Sequence, residues 1–176
     1  KKNQNPLQRA VTNLAEIFAP LIPAIIVGGL LLGFRSVLGD IKMFDNGTKS
    51  LCDMYSWCQG IYDFLWVICE AALHMLPVGI VWSITKKMGT ILGIVTGLTL
   101  VSPQLINAYS VGTAESIPTW DFGLFQIERI GYQSQIIPAI LVGFTLVYLE
   151  RFFKKHTPQS IQMIIVPLCS VLPSVF

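Results

Sequence analysis

Two long stretches of this chain, residues 88–114 and 130–149, contain no charged residue. An α-helix needs about 20 mainly apolar residues to cross the roughly 30 Å hydrocarbon layer of a membrane. Both stretches reach that length, and neither has the polar face that a helix of a soluble protein turns toward water. Their apolar residues are continuous and do not alternate, which excludes the strands of a membrane barrel. The pattern predicts membrane-spanning helices.

The composition leads to the same class. Hydrophobic residues make up 53% of the 176 residues and charged residues only 12%, about half the 25% that is usual in soluble domains. A chain so poor in charge and rich in apolar residues is not disordered. The net charge of +2 and the absence of a basic face exclude a nucleic-acid partner. We therefore expect an all-α integral membrane protein.

About five transmembrane helices are expected, near residues 14–37, 55–84, 88–108, 130–152 and 161–176. The last one ends with the chain inside an apolar run, so we interpret the chain as part of a longer protein. Each predicted span contains proline, which removes a backbone donor and kinks a helix. The kinks are either ordinary bends or openings for a polar path. These prolines are Pro20, Pro23, Pro77, Pro103, Pro138, Pro167 and Pro173.

The positions of Lys and Arg predict the orientation. The segments before span one, after span two and after span four hold eight of them, and the two other connecting loops hold four. Positive residues favour the cytoplasmic side. The amino terminus and residues 86–89 and 154–156 are therefore expected in the cytoplasm. Residues 40–53 and 110–128 are expected outside.

Small residues recur at four-residue spacing within the spans, which lets helix backbones approach closely. We expect these residues to pack helices, within one subunit or between two. They are Gly29, Gly33, Gly89, Gly93, Gly97, Ala139 and Gly143.

Glu70 and His74 share a helix face in an otherwise apolar stretch. Ionisable groups at membrane depth usually face a cavity or a partner, so the pair either lines a solute path or holds the helix in place. Three more polar residues are candidates for a substrate path. Arg35 ends the first span, where it could equally anchor the helix at the interface. Gln133 and Gln135 could bind sugar hydroxyls or satisfy a kinked backbone.

The four cysteines, Cys52, Cys58, Cys69 and Cys169, lack the spacing of a metal site, and no metal or cofactor is expected. Free thiols are the first interpretation. A disulfide between Cys52 and Cys58 in the outer loop is the alternative.

Four segments together resemble one family. They are residues 26–39 (IVGGLLLGFRSVLG), 64–89 (FLWVICEAALHMLPVGIVWSITKKMG), 91–108 (ILGIVTGLTLVSPQLINA) and 130–143 (IGYQSQIIPAILVG). The segments resemble the membrane-spanning C domain of bacterial phosphoenolpyruvate-dependent sugar phosphotransferase permeases. Within the glucose and sucrose-like superfamily, they are most similar to the trehalose permeases. One departure is the turn at residues 86–91, which is shorter than the Gly-Gly-Thr-Pro turn of relatives.

The resemblance implies sugar uptake coupled to phosphorylation in a bacterial inner membrane. Residues 13–176 would be the amino-terminal half of the C domain, and residues 1–12 the end of a linker from a cytoplasmic B domain. That B domain carries a phosphocysteine, which is charged by an A component and a phosphocarrier protein. A homodimer is implied, and most sugar contacts would lie in the other half. This half alone is therefore expected to hold no catalytic residue and to be inactive, with Glu70 and His74 structural.

Three alternatives remain open at this point. The sugar could be sucrose or a β-glucoside in place of trehalose. The chain could be a truncated membrane subunit that dimerises without transport. Glu70 and His74 alone would also fit a proton-coupled secondary transporter.

Overall fold

The computed structural model describes residues 6–90, 92–114, 116–123 and 126–175. The helices in this part of the chain are α1 (Pro6–Phe18), α2 (Ile22–Gly39), α3 (Leu51–Met54), α4 (Ser56–His74), α5 (Leu76–Met88), α6 (Gly93–Leu100), α7 (Ile136–His156) and α8 (Gln159–Val175). A 3₁₀ turn (Val111–Thr113) and an antiparallel hairpin of β1 (Thr119–Asp121) and β2 (Gln126–Glu128) lie between α6 and α7.

The fold is helical and of the membrane type, as the sequence predicts. Among the described residues, α2 and α7 are long and apolar enough to cross a membrane. A third span is obtained if α4 and α5, which are interrupted at Met75, are counted as one. The total of five spans stays a prediction.

Prolines mark helix boundaries in the first two predicted spans. Pro20 lies in the break between α1 and α2, and Pro23 is the second residue of α2. Pro77 is likewise the second residue of α5. Proline is tolerated in the first turn of a helix, because the N–H groups there have no intrahelical acceptor. The residues of each of these two predicted spans are therefore divided between two helices.

The third predicted span, residues 88–108, contains a helix of only eight residues, α6. Gly89 ends α5 in a left-handed conformation with φ 85°. Beyond Leu100 the chain turns, and Pro103 has no N–H with which to continue a helix. Ile91 lies outside the described residues.

The remaining boundaries differ from the predicted ones by several residues. Residues 6–12 of the predicted linker are helical and belong to α1, whereas residues 1–5 lie outside the described part. The helix α7 begins six residues after the start of the predicted fourth span, because Tyr132 and Gln133 form part of a loop. Phe176, the end of the predicted fifth span, is also outside the described residues.

The chain divides into two compact units, which we call the hairpin unit (residues 22–74) and the core unit (residues 1–21 and 75–176). In the hairpin unit α2 packs against α4. One close approach is at Gly28, where a Cβ atom would lie 2.7 Å from Cβ of Ala72. Gly28 therefore allows these two helices to touch.

The core unit is built around α5, whose Ile80, Val81 and Ile84 are almost fully buried. Helices α6 and α7 pack against α5 through glycines. A Cβ at Gly97 would lie 2.7 Å from Cα of Val78, and one at Gly143 would lie 2.8 Å from Cδ1 of Ile84.

The other glycines proposed for packing divide into two groups. A Cβ at Gly93 would overlap the side chain of Thr85. In contrast, a Cβ at Gly29, Gly33 or Gly89 would meet no described atom within 4 Å. Packing of Gly29 and Gly33 against a second subunit stays a prediction.

Candidate functional site

Four aromatic or ionisable side chains form a stripe along α4, one at every fourth residue. They are Tyr62, Trp66, Glu70 and His74, which we call the α4 stripe. Residues four apart lie on the same face of a helix. The stripe therefore runs along one side of the hairpin unit, with aromatic rings at one end and ionisable groups at the other.

Arg35 of α2 lies over the aromatic end of the stripe. Its guanidinium carbon is 3.7 Å from the ring centre of Tyr62 and 4.6 Å from that of Trp66. Both distances are within the range of cation–π attraction, which is strongest for Trp. The Nε atom of Arg35 is buried and has no hydrogen-bond partner in the described part of the chain. Two rings therefore hold the guanidinium in place, and its Nε–H group can still donate a hydrogen bond.

Gly39 and Asp40 complete the contact between Tyr62 and the end of α2. A Cβ atom at Gly39 would overlap the Tyr62 ring, so only glycine lets the ring lie against the backbone there. The Tyr62 hydroxyl donates to Oδ1 of Asp40 over 3.5 Å, which is a long hydrogen bond. The end of α2 thus places a cation over the ring of Tyr62 and a carboxylate at its hydroxyl group.

Glu70 and His74 form the other end of the stripe, and the structure brings them together as their spacing predicts. Nδ1 of His74 lies 3.4 Å from Oε1 of Glu70. The rings of Trp66 and His74 are edge to face, and their centres are 5.9 Å apart. The His74 side chain is 13% exposed, whereas that of Glu70 is 45% exposed. His74 is thus held from two sides, and Glu70 keeps an open face.

The arrangement offers hydrogen-bond donors on Arg35, acceptors on Glu70 and flat apolar rings on Tyr62 and Trp66. These groups suit a polar ligand with hydroxyl groups and an apolar face. A charged, half-exposed side chain is costly against lipid. The α4 stripe is therefore expected to face protein or a solvated path.

The two candidate glutamines lie in the core unit and differ in environment. Gln133 is buried, and its Oε1 accepts a hydrogen bond of 3.1 Å from the N–H of Ala108. Neighbouring backbone bonds join the same two segments: Ile106 donates to Arg129, and Gly131 donates to Ile106. Gln133 is therefore a structural link between loops. Gln135 is exposed at the start of α7, and its side chain makes no capping bond.

Arg35, Glu70 and His74 stay predicted substrate-path residues, and the sequence analysis did not include Tyr62 or Trp66 among the candidates. The repeat of four residues from Tyr62 to His74 was the available signal. No group of three or more His, Cys, Asp or Glu side chains that could hold a metal ion occurs among the described residues.

Comparison with known proteins identifies one family. The family described as "Phosphotransferase system, EIIC" matches residues 15–176. The trehalose-specific EIIBC component of the phosphotransferase system from Escherichia coli (strain K12) is 51% identical over 172 residues, which are 96% of this chain and 36% of that protein. The trehalose-specific EIIBC component of Bacillus subtilis (strain 168) is 39% identical, over 98% of this chain and 37% of the relative.

A sucrose-specific EIIBC component from Staphylococcus xylosus is 34% identical, over 99% of this chain and 38% of that protein. No solved structure matches the chain significantly. The chain thus spans little more than a third of the length of these curated relatives.

Proposed function

The chain belongs to the phosphotransferase system EIIC family, and from this membership we propose that it takes part in sugar uptake by group translocation. It would be a section of the membrane component of a phosphoenolpyruvate-dependent sugar phosphotransferase system, in the bacterial cytoplasmic membrane. The observation that carries the proposal is the family match, which extends from residue 15 to residue 176.

We propose trehalose as the sugar. Two relatives whose names specify trehalose are 51% and 39% identical to the chain, and the sucrose-specific relative from Staphylococcus xylosus is 34% identical. Sucrose is therefore the competing substrate. Both sugars are disaccharides rich in hydroxyl groups, so the same chemical groups would bind either one.

The relatives are EIIBC components, which pair this membrane region with a B domain. The proposed reaction moves a phosphoryl group from a phosphocysteine of that B domain to a hydroxyl group of the bound sugar. An A component and a phosphocarrier protein would recharge the cysteine, and the permease would work as a homodimer. Because the chain covers 36% of the Escherichia coli relative, we expect the chain alone to be inactive.

Arg35 is our candidate for contact with the sugar or with the path that leads to it. Its guanidinium is oriented by the Tyr62 and Trp66 rings, and its Nε has no partner among the described residues. A fixed planar cation donates several hydrogen bonds at little cost in conformational freedom. Glu70 and His74 have the supporting role: they hold each other and the edge of Trp66.

The substrate can be tested with the full-length permease in membrane vesicles. The vesicles receive the soluble phosphocarrier proteins, phosphoenolpyruvate and either labelled trehalose or labelled sucrose. We expect trehalose phosphate to form much faster than sucrose phosphate. Faster formation of sucrose phosphate would overturn the assignment of trehalose and leave the family unaffected. Vesicles with residues 1–176 alone are expected to form neither product.

A further inference from the structure

Two cysteines of the hairpin unit lie unusually close together. The Sγ atoms of Cys52 and Cys58 are 2.8 Å apart, although the residues belong to different helices, α3 and α4. A disulfide bond measures about 2.05 Å between its sulfur atoms. A shift of less than 1 Å therefore separates this contact from a covalent bond.

Local hydrogen bonds hold both cysteines in place. Ser50 and Asp53 cap α3 reciprocally: the Asp53 N–H donates to Oγ of Ser50, and the Ser50 N–H donates to Oδ2 of Asp53. Tyr55, between the two helices, donates its N–H to Leu51 and accepts from the N–H of Cys58. These hydrogen bonds fix the backbone that carries the two cysteines.

The two remaining cysteines provide internal controls. Cys69 is buried on α4, eleven residues beyond Cys58, which corresponds to about 16 Å along a helix. Cys169 belongs to α8 in the core unit.

We propose that Cys52 and Cys58 form a disulfide on the outer face of the membrane, by exchange with an external disulfide compound. The orientation rests on the predicted placement of residues 40–53 outside. Disulfides persist in the oxidising surroundings outside the cytoplasm. The bond would join α3 to the first turn of α4 and so fix the loop that leads into the α4 stripe.

The external disulfide is the oxidant, and the atoms and electrons of the exchange balance. The thiolate of one cysteine attacks the external disulfide, forms a mixed disulfide and releases one external thiolate. The thiolate of the second cysteine attacks the protein sulfur of the mixed disulfide, which closes the intramolecular bond and releases the second external thiolate. The two protons lost by the cysteines end on the two external thiols. The cysteines are oxidised and the external disulfide is reduced.

The test uses the full-length permease in intact cells and oxidised glutathione, which is charged and does not cross the membrane. Cells are first reduced, washed, exposed to the oxidant and quenched with acid. Free cysteines of the denatured permease are then counted with a maleimide that adds a large mass to each. We expect two fewer labelled cysteines after oxidation and a peptide that links Cys52 to Cys58.

The variants Cys52→Ser and Cys58→Ser should each lose at most one label, as a mixed disulfide with glutathione, and yield no linked peptide, whereas Cys69→Ser should still lose two. The amount of permease in the membrane is measured for every variant, so that failure to fold is detected separately. The proposal is overturned if the wild-type count does not change. It is also overturned if the bond forms only in detergent extracts, or if the linked peptide contains another cysteine. None of these outcomes depends on which sugar the permease phosphorylates.

Discussion

The guanidinium carbon of Arg35 lies 3.7 Å from the centre of the Tyr62 ring, which couples the last turns of α2 to α4. Trp66 provides a second ring 4.6 Å away. A cation that lies over two aromatic rings is restricted in orientation as well as in position. This relationship supports our proposal of a binding role for Arg35 over that of a simple interfacial anchor.

The first prediction concerns Arg35→Gln in the full-length permease. The change removes the cation while keeping a polar side chain, so we expect the KM for the sugar to rise roughly tenfold, which corresponds to about 1.4 kcal/mol of binding free energy. Arg35→Lys keeps the charge but loses the planar fork, and should restore the KM only in part. Initial rates of sugar phosphorylation at several sugar concentrations provide the measurement.

The matched control for Arg35 is Arg151→Gln. Arg151 is an exposed arginine of α7, and its replacement should leave the KM unchanged. If Arg35→Gln gives a folded permease with the wild-type KM, Arg35 is an anchor and our assignment is wrong.

The second prediction concerns the double variant Glu70→Gln with His74→Asn. We expect the free energy of unfolding to fall by about 0.2–1 kcal/mol, the usual range for an exposed pair, while the sugar KM stays the same. Thermal unfolding and phosphorylation are measured on the same preparation. A raised KM at unchanged melting temperature would show that the pair lines the sugar path.

The third prediction compares two glycines. Gly97→Ala places a Cβ 2.7 Å from Cα of Val78, and overpacking of this kind destabilises a protein by about 1–3 kcal/mol. Gly29→Ala meets no described atom within 4 Å, and alanine is the better helix former. We therefore expect the melting temperature to fall for Gly97→Ala and not for Gly29→Ala. A comparable fall for Gly29→Ala, together with loss of the dimer, would place Gly29 at a subunit contact.

The fourth prediction concerns the pH dependence of Cys52 alkylation. Burial, followed by the contact with Cys58 and the nearby carboxylates of Asp53 and Asp63, raises the pKa of Cys52 from 9.0 to about 11. Because the raised pKa favours the neutral thiol and only the thiolate reacts, little thiolate exists at neutral pH. The rate of carbamidomethylation of Cys52 in the reduced permease should keep increasing up to about pH 11.

Cys58→Ser is the control for the alkylation experiment. This variant removes the neighbouring sulfur but not the burial, so the pH of half-maximal rate should move only part of the way down toward 9.0. Peptide mass spectrometry follows the modification at each pH. A wild-type profile centred on the ordinary thiol pKa would contradict the raised pKa of Cys52.

The membrane class and the pairing of Glu70 with His74 on α4 could be predicted from the sequence, because both depend on local information. The length of an uncharged run shows whether a helix can cross a membrane, and the spacing of Glu70 and His74 shows that they share a face. The partnership of Arg35 with Tyr62 and Trp66 depends on how α2 packs against α4. No periodicity within either helix reveals that contact.

The glycines illustrate the same limit. In the run from residue 22 to residue 34 nearly every residue is apolar, so the sequence does not distinguish the buried face of α2 from the opposite one. The four-residue spacing predicts packing at Gly29 and Gly33, whereas a close contact with α4 is made by the neighbouring Gly28. Helix ends were also difficult to predict, because proline at positions 20 and 77 can either kink a helix or lie beside the start of a new one.

The most direct test of the account is the chemical state of the sugar after it has entered the vesicle. The full-length permease is reconstituted with its soluble phosphocarrier proteins on the cytoplasmic face, and labelled trehalose is supplied on the other face. Group translocation predicts that the label inside is trehalose phosphate and that uptake stops when phosphoenolpyruvate is withheld. Accumulation of free trehalose, driven by a proton gradient without phosphoenolpyruvate, would contradict the account.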